Sequence, residues 1–271
     1  MISPSTTTTN TKSNADLRAS LEALGLRRTA DDLDDLVARA TKSRWSPVQQ
    51  LEEICRLEMQ ERARRSVERR LGRAHLGRFK PMADFDWDWP KHVDRAAVER
   101  VLSLGFVERT ENVVLVASQG LGKTMIAKNV AHAAILAGQS ALFVSASEML
   151  LDLRKQDTAR TLERRLRHYT SAHVLCIDEI GYLSYDNVAA DLLFQIVTRR
   201  YERRPTVLTT NLAFTDWSTI FPNAACATAL IDRLTHHSEI ITIEGESYRK
   251  REAEAAKKAR RRGNGKIGGS A

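Results

Sequence analysis

The side chains of this 271-residue chain best placed to work on a phosphoanhydride are Lys123, Thr124, Asp178, Glu179 and Asn211. The first two close the stretch Val113-Val114-Leu115-Val116-Ala117-Ser118-Gln119-Gly120-Leu121-Gly122-Lys123-Thr124. A short apolar run leads into two glycines and a Lys-Thr pair, and a helical pattern follows from Met125 to Leu136. Strand, glycine-rich loop and helix is the setting of a phosphate-binding loop. Gly120 and Gly122 let backbone N–H groups turn inward around an anion, and the helix N-terminus adds partial positive charge. Around the same loop, Leu121 contributes its backbone, Lys123 can reach the outer phosphates, and the Thr124 hydroxyl can hold Mg2+. The usual pattern opens on a glycine where this chain has Ala117, which fits if that residue keeps a negative φ.

Val174-Leu175-Cys176-Ile177-Asp178-Glu179 reads as an apolar strand ending in two acids. In a phosphate-loop fold the first acid, Asp178, sits beside Mg2+ and the second, Glu179, can polarise an attacking water. Strands often end in acids, so the pair is informative through its joint occurrence with 120–124. Val207-Leu208-Thr209-Thr210-Asn211 is another strand with a polar end, and Asn211 could orient the water. Arg233 follows Asp232 near the end of a helix; an internal salt bridge and a finger reaching a neighbouring subunit's nucleotide both suit it. His236-His237 suggests metal, but adjacent histidines on a helix point apart, which argues against a shared ion.

The elements needed to position these groups are legible as apolar runs at Ala141–Ser145, Val174–Asp178, Thr206–Thr210 and Ile240–Glu244, with helical patterns at 147–155, 159–169, 187–203 and 224–236. With the strand at 113–116 they predict a doubly wound α/β domain on a five-stranded parallel sheet. Upstream, helices fit 16–26 and 30–41. A third starts at Ser46-Pro47-Val48-Gln49, a capping box with proline at the first helical position, and its apolar face runs Val48, Leu51, Cys55, Met59, Ala63 and Val67. Residues 1–14, rich in Ser, Thr and Asn, are expected to be unstructured. The expected organisation is thus a tail at 1–14, a basic all-helical domain at 15–80, a linker at 81–93, the nucleotide domain at 94–248 and a basic tail at 249–271. In the linker, Phe85, Trp87 and Trp89 alternate with aspartates, which favours docking on the nucleotide domain over stacking on bases.

The net charge of +8 is uneven, with nine Lys/Arg and two Glu from Arg249 onward. A second basic run holds Arg62, Arg64, Arg65, Arg69, Arg70, Arg73, Arg78 and Lys80 against Glu68 alone. A solvated helix face is compatible with it, but so poor an interleaving of signs favours contact with nucleic-acid phosphates. Hydrophobic content of 42% allows a sizeable core, and no apolar run approaches the ~20 residues of a membrane span. No apolar signal core stands at the N-terminus. Cys55, Cys176 and Cys226 lack metal-ligand spacing and read as buried thiols in a reducing cytoplasm.

From about residue 45 to 252 the chain resembles the IstB-type transposition helper ATPases, relatives of the DnaC-type helicase loaders within the AAA+ group. The resemblance rests on Glu111–Leu115, Gly120–Thr124, Ile177–Leu183, Tyr201–Arg204, Leu208–Asn211, Ile231–Leu234 and, most specifically, Ile243-Glu244-Gly245-Glu246-Ser247-Tyr248-Arg249. It implies ATP and Mg2+ as cofactors, oligomers on duplex DNA, and a partner transposase of integrase type encoded by the same element in a bacterial cytoplasm. It casts Lys123 and Thr124 as Walker A, Asp178 and Glu179 as Walker B, Asn211 as sensor 1, Arg233 as the finger and Arg249 as a second sensor. The chain departs from the family at Ala117-Ser118-Gln119, where Gly-Pro-Pro is usual. A replicative helicase loader is the alternative, expected to prefer single strands. A metabolic phosphate-loop kinase would need a small-molecule pocket and lid that no segment supplies.

Overall fold

The computed structural model describes residues 7–182, 184–248 and 250–252, and the chain divides into two compact units, one up to Arg69 and one from Arg70. The first unit is helical: α1 (Thr7–Ala23), α2 (Arg27–Asp31), α3 (Leu33–Lys42) and most of α4 (Pro47–Arg73). The run expected to be unstructured at 1–14 is therefore helical from Thr7; residues 1–6 lie outside the described residues. The capping box of α4 forms as expected, with Gln49 N–H donating to Ser46 Oγ at 3.3 Å and Ser46 N–H to Gln49 Oε1 at 2.8 Å.

The side of α4 that packs is not the one its apolar spacing marks. Val48, Leu51, Cys55, Met59 and Ala63 are exposed, whereas Leu57 and Glu58 are buried. Glu58 can be buried because its carboxylate accepts the Thr29 N–H at 2.7 Å, satisfying a donor in the first turn of α2. Periodicity reports that apolar residues share a face, but not which face another helix will cover.

The second unit runs β1 (His92–Val93), α5 (Arg95–Leu102), α6 (Gly105–Glu108), β2 (Asn112–Ala117), α7 (Lys123–Leu136), β3 (Ala141–Ser145), α8 (Ala146–Arg154), α9 (Ala159–Ser171), β4 (Val174–Ile180), α10 (Asn187–Arg200), β5 (Thr206–Thr210), α11 (Ala224–Thr235) and β6 (Ser238–Glu244). α5 and α6 are separated at Leu104, whose φ of 68° ends one segment before the next begins. The sheet order is β1-β6-β2-β5-β4-β3. The five expected parallel strands are present, and a sixth, β1, pairs antiparallel with β6 through His92–Glu244 and Val93–Ile243. The sheet is therefore mixed, because the end of the expected linker adds an edge strand that lacks the length for its own sequence signature.

Strands β2, β4 and β5 are almost continuously buried, as suits parallel strands covered on both faces. Arg200, 1% exposed, donates to the carbonyls of Thr170 (3.1 Å), Ala172 (2.8 Å) and His173 (3.2 Å) and to Thr206 Oγ1 (3.1 Å), tying the end of α9 to β5. The carboxyl ends of β2, β4 and β5 open on one crevice, the place where doubly wound sheets bind ligands.

Candidate active site

The loop from β2 to α7 turns through two left-handed residues, Gly120 at φ 80° and Gly122 at φ 91°. A side chain is excluded at both for a second reason. A Cβ on Gly120 would lie 2.2 Å from Ser247 Oγ, and one on Gly122 would lie 2.6 Å from the Phe85 ring. Ala117 is the buried last residue of β2 and has no positive φ, so an alanine fits where the usual pattern has glycine. Lys123 opens α7 and is 8% exposed; its Nζ donates to the carbonyls of Ala117 at 2.5 Å and Ser118 at 2.9 Å. The ammonium is thereby folded back over the loop that would cradle an anion.

Thr124 meets the strand-end acid directly. Its Oγ1 lies 3.0 Å from Asp178 Oδ2 and 3.2 Å from Oδ1. From the next strand Thr209 Oγ1 donates to Asp178 Oδ1 at 2.5 Å and accepts the Glu179 N–H at 2.9 Å. Pairing of β4 with β5 shifts register between Ile177 and Ile180, and Glu179 sits at φ 62°. This bulge lets two consecutive acids serve different places: Asp178 stays buried beside Thr124, while Glu179 is exposed at the crevice. Thr209 escaped sequence reasoning. The only signal was its place in Leu208-Thr209-Thr210-Asn211, from which Asn211 alone drew a role.

A cavity of about 560 Å3 lies over this loop, lined by Gly120, Leu121, Gly122, Lys123, Thr124, Glu179 and Asn211 together with Phe85, Trp89 and Tyr248. The aromatics of the expected linker thus dock on this unit. Phe85 is buried with its ring 4.7 Å from that of Trp87, and Trp89 Nε1 donates to the Glu246 carbonyl at 2.9 Å. The Gly245–Tyr248 segment packs against the loop itself, with Tyr248 N–H donating to the Gly120 carbonyl at 3.0 Å. Arg251 joins linker and C-terminal segment, 3.0 Å from Asp86 Oδ2 and 4.3 Å from the Trp89 ring centroid. Sequence reasoning had no means of placing Ser247 and Tyr248 beside Gly120, 127 residues away for the Ser247–Gly120 pair.

Of the remaining expected site residues, Asn211 is at the crevice but Arg233 is not. Arg233 stacks over the Phe194 ring at 4.7 Å and donates to the Ala229 carbonyl at 3.0 Å, outside the lining of this cavity. Arg249 lies outside the described residues. Along α4, Arg62, Arg69 and Arg73 are exposed and Arg70 half-buried. Arg64 is paired with Glu61 at 2.7 Å and Glu68 at 2.5 Å, and Arg65 with Glu61 at 2.6 Å. Glu61, just outside the basic run, supplies counter-charge that its composition leaves out. Those guanidinium groups hold the Glu61 carboxyl down at about 2. Of the cysteines only Cys176 is buried, its thiol pushed up to about 12 by burial; Cys55 is exposed and Cys226 half-buried. Among the described residues no helix is long and apolar enough to cross a membrane.

A hydroxyl and a buried carboxylate at one point are hard oxygen donors, a set that suits Mg2+. The sheet order, the glycine loop and the acid pair together define a P-loop nucleotide-binding protein. A family model described as IstB-like ATP binding protein matches residues 19–256. A protein from Pseudomonas aeruginosa named for ATP binding in insertion sequence IS21 is 36% identical over 241 residues, 89% of this chain and 91% of that protein. Another, from insertion sequence IS232 of Bacillus thuringiensis subsp. berliner, is 34% identical over 86% of this chain and 93% of its own length. The crystal structure of DnaI shares the fold, with a TM-score of 0.50 and 22% identity over 62% of this chain and 89% of that one. The chain belongs to the IstB-like ATP-binding protein family.

Proposed function

We propose that this protein is an Mg2+-dependent ATPase that oligomerises on duplex DNA and assists an integrase-type transposase of the same mobile element in the bacterial cytoplasm. The observation that carries the ATPase reading is the meeting of Thr124, Asp178 and Thr209 at 2.5–3.2 Å, with Glu179 turned out at the cavity. Backbone N–H groups around Gly120 and Gly122 and the Lys123 ammonium bind the phosphates. Phe85, Trp89 and Tyr248, in the lining of the same cavity, offer aromatic faces for the base. Thr124 and Asp178 would hold Mg2+, which when bound neutralises charge on the phosphate oxygens. Glu179 accepts a proton from the attacking water and Asn211 helps to orient it. Arg233, turned away from its own cavity, is available to a neighbouring chain's nucleotide. The insertion-sequence names of the relatives support the mobile-DNA role, and the basic α4 supports phosphate contact.

The test is binding of the purified chain to long duplex and to single-stranded DNA, each with and without ATP and Mg2+, for the wild type and Glu179→Gln. ATP-dependent assembly on duplex is expected for both. Phosphate release by the variant should fall by about 100-fold or more, the loss a general base commands. A preference for single strands would reject the duplex reading in favour of a helicase loader.

A further inference from the structure

The geometry points to a binding site for a Zn2+-like divalent ion formed by Glu202, His236 and His237, at the end of the sheet away from the nucleotide cavity. Asn112 opens β2, whose other end leads into the glycine loop, and the Asn112 N–H donates to the His237 carbonyl at 2.8 Å. The two histidines are not on a helix together. α11 stops at Thr235, so His236 caps it and His237 already belongs to the turn into β6. His236 still holds helical φ and ψ (−53° and −46°), yet the two rings lie 4.1 Å apart at their centroids and are not splayed as neighbours on a helix are expected to be. Glu202 comes from the turn after α10 and holds φ at 54°, in the left-handed region.

One ligand atom from each residue lies within 4.8 Å of the others. Glu202 Oε1 is 3.8 Å from His236 Nδ1 and 3.9 Å from His237 Nε2. Both separations exceed hydrogen-bond length, which ends at about 3.2 Å. They lie close to the ~3.4 Å edge of a tetrahedron whose centre is about 2.05 Å from each ligand. The third separation, between the two imidazole donors, is within 4.8 Å, so a small closing movement would bring all three donors onto one ion. Two imidazoles and a carboxylate suit Zn2+ or Co2+, and not Mg2+, which prefers oxygen alone. The three side chains are 50–56% exposed, so an ion can enter. The Tyr201 hydroxyl, 2.7 Å from His236 Nδ1 and hydrogen-bonded also to the Glu202 carboxylate, must yield both ligands. An ion here would join the turn after α10 to the end of α11, three residues beyond Arg233.

The test is titration of the untagged, chelator-treated full chain with Zn2+, and with Co2+ followed by its ligand-field absorption, both without nucleotide. One ion per chain, a four-coordinate Co2+ spectrum and a raised thermal midpoint are expected. His236→Ala and Glu202→Gln should each weaken Zn2+ binding at least about tenfold, since loss of even an outer partner can do so. Cys55→Ser with Cys226→Ser should leave affinity unchanged. The metal-free thermal midpoints of the ligand variants establish that these exposed substitutions fold. No stoichiometric binding by the wild type, or affinity unmoved in both folded ligand variants, would overturn the site.

Discussion

Thr209 Oγ1 donates to Asp178 Oδ1 at 2.5 Å while accepting the backbone N–H of the next residue, Glu179, at 2.9 Å. One hydroxyl on β5 therefore fixes both acids of β4, the buried one by its carboxylate and the exposed one by its main chain. Thr209→Val keeps the shape and removes the hydroxyl, leaving a buried carboxylate short of a donor. Unfolding stability should fall by about 1–3 kcal/mol and ATP hydrolysis should fall with it, whereas Thr209→Ser should restore both. Denaturant melts and phosphate-release rates read the two effects. An unchanged rate in Thr209→Val would mean that Asp178 needs no such support.

Gly120 and Ser247 make a second prediction. Gly120→Ala faces both a φ of 80°, which costs an L-residue about 1–2 kcal/mol, and a Cβ 2.2 Å from Ser247 Oγ. Nucleotide binding should be abolished. Adding Ser247→Gly relieves the collision but not the backbone penalty, so affinity should return in part. Fluorescent-nucleotide titration of the single and double variants decides it; full recovery would show that φ is no constraint at this position.

Arg233 faces Phe194 and not its own cavity, so the proposed finger role requires a neighbouring chain. Arg233→Ala and Lys123→Ala should each abolish turnover alone. Mixed together they should recover part of it, because the Lys123→Ala chain still carries Arg233 to the intact loop of its neighbour. A finger of this kind is worth about 10^3–10^5 in rate. Mixtures as inactive as their components would remove Arg233 from that role.

The arginines of α4 are not equivalent. Arg64 and Arg65 are committed to Glu61 and Glu68, while Arg62 and Arg69 make no ion pair among the described residues. Arg62→Ala with Arg69→Ala should flatten the salt dependence of duplex binding by about 0.9 in log–log slope for each phosphate no longer neutralised. Arg64→Ala with Arg65→Ala should change it less. The reverse order would place the paired arginines on the DNA.

Arg200 carries no catalytic expectation but closes the fold around it. Arg200→Ala would strand the carbonyls of Thr170, Ala172 and His173 in the interior. A destabilisation of about 3–5 kcal/mol is expected, seen in calorimetry as a lower melting point.

The sequence by itself determined the parts whose meaning is local. A parallel strand buried on both faces needs an apolar run, and a phosphate loop needs left-handed glycines before a helix. Hence β2, the loop at 120–124 and the acid-ended β4 were all legible from neighbours in the chain. Tertiary structure decided whatever depends on which segments meet. Sheet register put Thr209 beside Asp178 and opened the bulge that separates Glu179 from it. The edge pairing of His92–Val93 with β6 brought Phe85 and Trp89 over the loop, and Ser247 against Gly120. Packing of α2 on Glu58 left Val48, Leu51 and Met59 outside despite their spacing. Packing of the turn after α10 against the end of α11 set Glu202 beside His236 and His237. Each of these is a meeting of residues far apart in sequence, and periodicity carries no record of the partner.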